Sequence, residues 1–299
     1  MKNNHIEAMS AHQEEEECKK RLAELPMSAR QEVVEKARRL ANLLTAELRD
    51  RDLFTQPGSS CYGDCPICCL PLPIDMSKSS MTACCSNLIC DGCAVANKKR
   101  EFQQGLEHRC AFCREPVPKS QQVGLRNAMK RVKKNDPAAL WQVGTKRLIE
   151  GDCKTALKYW TQAAELGDVL SHYELSVIYR EGHQGGVEKD MKKAIHHGEQ
   201  AAIGGHPDAR FNLGCFEALN GRFERAKKHY IIAANLGCND SLKRVMKLYA
   251  DGHASKEEYF DALRAYQAAV DAMKSIEREE ADAYHRAVAT THVGSALGL

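Results

Sequence analysis

No run of about 18 apolar residues occurs in the 299-residue chain, which excludes a membrane-spanning helix of ordinary length. A basic start followed by an apolar segment is missing too. Residues 2–21 are polar and carry Glu14-Glu15-Glu16-Glu17, so no secretory signal is expected and the cytosol or nucleus is the expected compartment. Strong charge of one sign is also lacking: the formal net charge is +3, with 28% charged and 43% apolar residues, which does not by itself call for a polyanionic partner. No Ser-His-Asp set, phosphate loop or His-Glu-x-x-His helix is legible. Any activity is therefore expected to come from bringing other proteins together.

Cysteine, by contrast, is abundant and concentrated. Ten of the fourteen cysteines fall between Cys61 and Cys113. In a reducing compartment such clusters are metal ligands more often than disulfides. Cys65 and Cys68, Cys90 and Cys93, and Cys110 and Cys113 form three pairs with two residues between partners. That turn lets both sulfurs swing to one side, where each takes one corner of a tetrahedral Zn(II) at about 2.3 Å. Three pairs are too many ligands for one ion and too few for two, and the adjacent Cys84 and Cys85 bring the set to eight. Two structural Zn(II) ions are the natural reading. Closed four-ligand sites leave no open position for water, so the metal would be structural rather than hydrolytic. Cys61 and Cys69 are spare thiols.

Taken in order, the ligands run Cys65, Cys68, Cys84-Cys85, Cys90, Cys93, Cys110, Cys113. This order resembles the RING finger, a small cross-braced domain. The resemblance implies that Cys65, Cys68, Cys90 and Cys93 close one site and that Cys84, Cys85, Cys110 and Cys113 close the other. It departs from the pattern at Asn87, which stands where the fourth ligand is usual; Cys84 fills that place, with His108 as the alternative. The resemblance further implies a docking surface for a ubiquitin-conjugating enzyme at Ile67 and Pro116, with Leu88 or Ile89 adding to the patch. It also gives Arg114, directly after the last ligand, the role of holding the thioester in a reactive pose by positioning rather than by chemistry.

Residues 5–52 are dense in Glu, Lys, Arg, Ala and Leu, with Leu22, Val34, Ala37, Leu40, Leu43 and Leu44 at helical spacing. Pro26 is expected to divide them into two helices, with Ser28 capping the second. The apolar stripe reads either as a surface-lying amphipathic helix or as a short coiled coil through which chains would associate. The basic cluster Lys130, Arg131, Lys133 and Lys134 lies on a further helix, from Ser120 to Lys134. With no aromatic residues interleaved to stack bases, it reads as a solvated face, and no nucleic-acid partner is expected.

From Asp136 onward the chain repeats itself. Ala163-Ala164-Glu165-Leu166-Gly167 recurs as Ala201-Ala202-Ile203-Gly204-Gly205 and Ala233-Ala234-Asn235-Leu236-Gly237, with a worn copy at Ala268-Ala269, at intervals of 38, 32 and 35 residues. Each copy follows a helix pattern and is preceded by another. Small Ala lets two antiparallel helices approach closely, and Gly supplies the left-handed cap that ends the second. The pattern resembles the Sel-one-like branch of the tetratricopeptide family, most closely over Tyr173 to Gly205. The resemblance implies a protein-interaction solenoid without catalytic residues.

The expected fold is thus mostly α: a helical segment over 1–58, a small cross-brace zinc-binding RING-like domain over 60–119, a basic helical linker over 120–135, an α-solenoid of helix-pair repeats over 136–285 and a flexible tail over 286–299. The expected function is that of a zinc-binding ubiquitin ligase holding a conjugating enzyme on the zinc domain and a protein substrate on the repeats. The alternative is a non-catalytic scaffold.

Overall fold

The computed structural model describes residues 16, 19–21 and 23–296, with side chains up to Val288. Leu22 and three residues of the early glutamate run, Glu14, Glu15 and Glu17, lie outside the described residues. The chain divides into two compact units, one ending at Leu53 and one spanning Phe54–Leu299. In the first unit, helix α1 covers Met27–Leu53. It begins directly after Pro26, whose carbonyl accepts the Arg30 N–H at 3.0 Å, so Ser28 sits inside the first turn and does not cap it. Ion pairs Glu32–Lys36 (2.9 Å) and Glu35–Arg39 (3.2 Å) brace one face at i,i+4 spacing, while Val34, Leu40, Leu43 and Leu44 stay exposed.

The second unit opens with the cysteine-rich segment. Strands β1 (Ser79–Met81) and β2 (Leu88–Cys90) pair antiparallel with Ser80 opposite Ile89, and β2 runs straight into helix α2 (Asp91–Gln103). Helix α3 (Gln121–Val132) is capped by Ser120, whose hydroxyl accepts the Val123 N–H. Four antiparallel pairs follow: α4 (Pro137–Ile149) with α5 (Cys153–Glu165), α6 (Val169–Glu181) with α7 (Met191–Ile203), α8 (Pro207–Leu219) with α9 (Phe223–Asn235), and α10 (Asn239–Ala250) with α11 (Lys256–Ala272). Carboxylates of Asp136, Asp152, Asp168 and Asp190 cap four of these helices by accepting N–H groups that would otherwise be orphaned. Helix α12 (Ile276–Ala296) closes the chain, so residues 286–296, expected in a flexible tail, are helical. The helix starts upstream of that tail, in Glu277-Arg278-Glu279-Glu280-Ala281, a run of good helix formers without Gly or Pro, and continues into it.

Within the pairs, large and small residues interlock at repeat-equivalent positions. Gly144 on α4 faces the buried Trp160 on α5, where an added Cβ would sit 2.7 Å from the indole, and Gly214 on α8 faces Tyr230 on α9 at 2.6 Å. In the middle pair both positions are small. Gly198 on α7 takes the place of the aromatic residue, and Ser176 on α6 takes that of the glycine. The first and third layers are each filled by one bulky side chain, which keeps the core dense without overpacking, and the middle layer is small on both sides.

The cysteine-rich segment is not a separate bead. The Cys61 N–H donates to the Gly205 carbonyl at 3.1 Å, Arg210 Nη2 donates to the Thr55 carbonyl at 3.3 Å, and Asn235 Nδ2 donates to Gln56 at 3.1 Å. Phe54 packs on His229 beneath Arg225 and Lys228. Residues 54–62 therefore cover part of the surface of α8 and α9. At the other end, α12 packs along α2. None of the described helices is long and apolar enough to cross a membrane.

Candidate metal centre

Three tight turns build the centre, and one local device closes all of them. The residue after a cysteine adopts a left-handed backbone and folds its N–H back: Cys69 to the Cys65 carbonyl (2.8 Å), Ser86 to the Thr82 carbonyl (2.9 Å) and Arg114 to the Cys110 carbonyl (3.0 Å), at φ of 56°, 56° and 64°. A non-glycine residue there costs about 1 kcal/mol or more, so it persists only where surroundings impose it. Two of the turns are the same loop used twice. Cys65 N–H reaches the Leu70 carbonyl (2.9 Å) and Cys110 N–H reaches the Glu115 carbonyl (2.8 Å), with bridges Asp64 to Pro71 and Arg109 to Pro116 outside them.

The turns bring eight sulfurs into two groups, Cys65, Cys68, Cys90 and Cys93 in one and Cys84, Cys85, Cys110 and Cys113 in the other, each with its Sγ atoms within 4.8 Å of one another. The groups interleave along the chain. Sγ separations are 3.8 Å for Cys68 and Cys90, 4.0 Å for Cys85 and Cys110 and 3.3 Å for Cys84 and Cys113. A tetrahedral ion with Zn–S bonds of about 2.3 Å sets its sulfurs roughly 3.8 Å apart. The donor sets fit such an ion.

Electrostatics point the same way. Burial pushes the Cys65 thiol up, but amide groups of Cys68, Cys90 and Ile67 outweigh it and bring it down to about 7. Cys85 follows the same course, down to about 7, because the Thr82 hydroxyl 3.0 Å away and Asn87 favour the thiolate over the effect of burial. Burial and the neighbouring sulfurs push Cys84 and Cys93 well above the usual thiol range. Four thiols at such distances cannot all ionise without a cation to hold them together.

His108, the alternative ligand, lies elsewhere: its Nδ1 is 2.8 Å from the carboxylate of Glu101. Asn87 ligates nothing and instead donates from Nδ2 to the Cys85 carbonyl at 3.3 Å. Cys69 is exposed, and Cys61 is held against the repeats with its thiol pushed up to about 12 by burial and by the charges of Asp168 and Asp208.

Beside the first group lies a groove of about 400 Å³ walled by Ile67, Ala96, Asn97, Arg100, Arg114 and, from α12, Glu277. Ile67 is 41% exposed at its rim, while Pro116, also exposed, is not among the residues that wall it. Arg114 is not free in solvent: Nη1 donates to Asn97 Oδ1 at 3.0 Å and Nη2 lies 3.5 Å from Glu101 Oε1. Leu88 and Ile89 do not extend this surface. Ile89 is 2% exposed within a cluster of Tyr62, Cys65, Leu72 and Cys90, and Leu88, half-buried, packs against the same cluster.

Two arginines at the centre have contacts that the sequence does not signal. Arg131, from the basic cluster, donates to the Ser86 hydroxyl (2.8 Å) and pairs with Asp136 (2.6 Å), so it is tied down rather than solvated. Arg278 reaches Cys68 Sγ at 3.5 Å. No spacing signal could join residues 210 positions apart.

Known proteins illuminate the repeats alone. Residues 137–168, 169–206 and 207–238 match the Sel1 repeat family, so α4 to α9 form three Sel1 repeats. The pair α10 and α11 lies beyond the matched residues. No curated protein matches the chain. Among solved structures it is similar to a Sel1 repeat protein from Oxalobacter formigenes, at 26% identity and TM-score 0.38, over 41% of this chain and 97% of that one. It is also similar to a protective antigen of uropathogenic Escherichia coli displaying an SLR fold, at 20% identity and TM-score 0.44, over 56% of this chain and 36% of that one.

Proposed function

We propose that this Sel1-repeat chain is a zinc-stapled ubiquitin ligase, docking a charged ubiquitin-conjugating enzyme in the groove of Ile67 and Arg114 and presenting a protein partner from the remaining repeat surface. The single observation that carries the reading is the meeting of Ile67 and Arg114, 47 residues apart, on one open groove beside a four-cysteine group. Both positions are those the RING resemblance implies. The two metal ions would be Zn(II), held by the two cysteine groups, and would supply folding free energy rather than reactivity. Arg114 keeps further N–H donors free beyond those on Asn97 and Glu101, enough to bridge carbonyl oxygens of enzyme and ubiquitin. The expected compartment is the cytosol or nucleus.

The test is discharge of ubiquitin from a panel of charged conjugating enzymes by the full chain. Ile67→Ala and Arg114→Ala are each expected to lower the rate at least tenfold while both metal ions stay bound. The engagement of Arg114 with Asn97 and Glu101 favours a second reading, a scaffold in which that arginine only braces α2. Silence of the metal-loaded wild type across the whole panel would establish the scaffold and remove the ligase.

A further inference from the structure

Helix α12 reaches the first cysteine group with a buried cation. Arg278 is 9% exposed, and its guanidinium donates to the carbonyls of Pro71 (2.7 Å), Met273 (2.7 Å) and Leu70 (3.3 Å) and to Cys68 Sγ (3.5 Å). The helix sits close because α2 offers no side chain there. A Cβ on Gly92 would lie 2.9 Å from the Arg278 backbone nitrogen. Around this point run the pairs Lys78–Asp282 (2.8 Å), Lys99–Glu280 (3.1 Å) and His285–Asp91 (3.3 Å), all partly exposed and worth little each.

Four thiolates around one divalent cation carry a net charge of −2, and a half-buried anion of that size needs a compensating donor. Arg278 stands where that donor is needed. The second group is served differently: Arg131 there contacts the Ser86 hydroxyl and the Cys84 carbonyl rather than a sulfur. We propose that Arg278 is the outer-shell partner of the first metal site, so that metal binding at Cys65, Cys68, Cys90 and Cys93 and the seating of α12 on α2 form one coupled equilibrium. Coupling is reciprocal: whatever factor the seated helix adds to metal affinity, the metal adds to seating. Since Glu277 precedes Arg278 and walls the groove, occupancy of the first site also sets the shape of that groove. The inference rests on the metal reading of the cysteine groups and not on ligase activity.

The experiment uses the full chain loaded with Co(II), whose thiolate charge-transfer bands report each site. Release to excess EDTA is followed in wild type, Arg278→Met and Arg278→Lys. One ion is expected to leave the Met variant about 10–100-fold faster while the other keeps its rate, in line with typical losses of an outer-shell partner. The faster site's band should move to lower energy, because a sulfur without its N–H donor holds its electrons less tightly, and Lys should restore part of both effects. Hydrogen exchange over Ile276–Val288 should rise in loaded Arg278→Met and in metal-stripped wild type, with α8 and α9 still protected in the loaded variant. Unchanged release and bands would overturn the inference, as would equal acceleration of both ions, which marks general loosening. A wild type that binds no Co(II) would instead defeat the metal reading itself.

Discussion

The carbonyl of Gly205, the left-handed glycine that follows the cap of α7, accepts the N–H of Cys61 at 3.1 Å, so the turn that ends α7 also seats the cysteine-rich module. Gly205 has φ of 84°, and a Cβ there would lie 2.8 Å from the Ser59 carbonyl oxygen. Its repeat-equivalent Gly167 has φ of 86° and nothing within 4 Å of the same point.

These two glycines form a matched experiment. Gly167→Ala should cost only the left-handed strain, about 1–2 kcal/mol. Gly205→Ala should cost roughly 1–3 kcal/mol more, because backbone cannot step aside as a side-chain tip can. Urea denaturation of both variants checks the difference, and equal losses would mean the module is not seated on Gly205.

Metal content tests the second cysteine group. The full chain is expected to bind two Zn(II) ions, Cys84→Ala one, and His108→Ala two, as read by elemental analysis after gel filtration. Chelation should unfold residues 60–119 while leaving most of the helical signal, since structural zinc supplies on the order of 10 kcal/mol to modules with so small a core.

Acid should weaken the repeats through buried histidines. His172 and His197 meet with their Nδ1 atoms 3.0 Å apart, and burial, then the charge of His172, holds His197 down to about 4 from 6.5. Burial alone holds His206, beside Tyr62, down to about 3. Both are neutral when folded, so the unfolded chain binds more protons: the stability they lend is full above pH 6.5 and lost as pH falls toward 4 and 3. The urea midpoint of wild type should therefore drop more between pH 7 and 5 than that of His197→Gln, a comparison in which acid release of metal cancels. Parallel slopes would refute the assignment.

The small middle layer predicts a different response to one substitution. Gly144→Ala and Gly214→Ala drive a methyl into Trp160 and Tyr230, and overpacking of about 1–3 kcal/mol should outweigh the gain of about 1 kcal/mol in helix propensity. Gly198→Ala meets Ser176 Oγ at 3.1 Å and Leu213 at 3.6 Å, and should be neutral or mildly stabilising. Thermal melts of the three variants check this.

Much of this protein is legible in residue order. Repeats announce themselves because each helix pair must present the same small and apolar positions to its neighbours, so Ala201-Ala202 and Ala233-Ala234 recur. The eight clustered cysteines are legible because metal chelation fixes short spacings. Tertiary structure decided what spacing cannot carry. Leu88 and Ile89 look alike in sequence to any exposed apolar pair, and only the folded cluster of Tyr62, Cys65 and Leu72 buries Ile89 and half-covers Leu88. Gly167, Gly205 and Gly237 are one signal in the sequence, yet only Gly205 meets Ser59 and Cys61. Arg278 reads as one more surface charge until α12 is laid against Gly92, which brings its guanidinium to a sulfur 210 residues away. Local spacing encodes local chemistry; contacts across such separations depend on how the helices stack, and no short stretch of sequence records that.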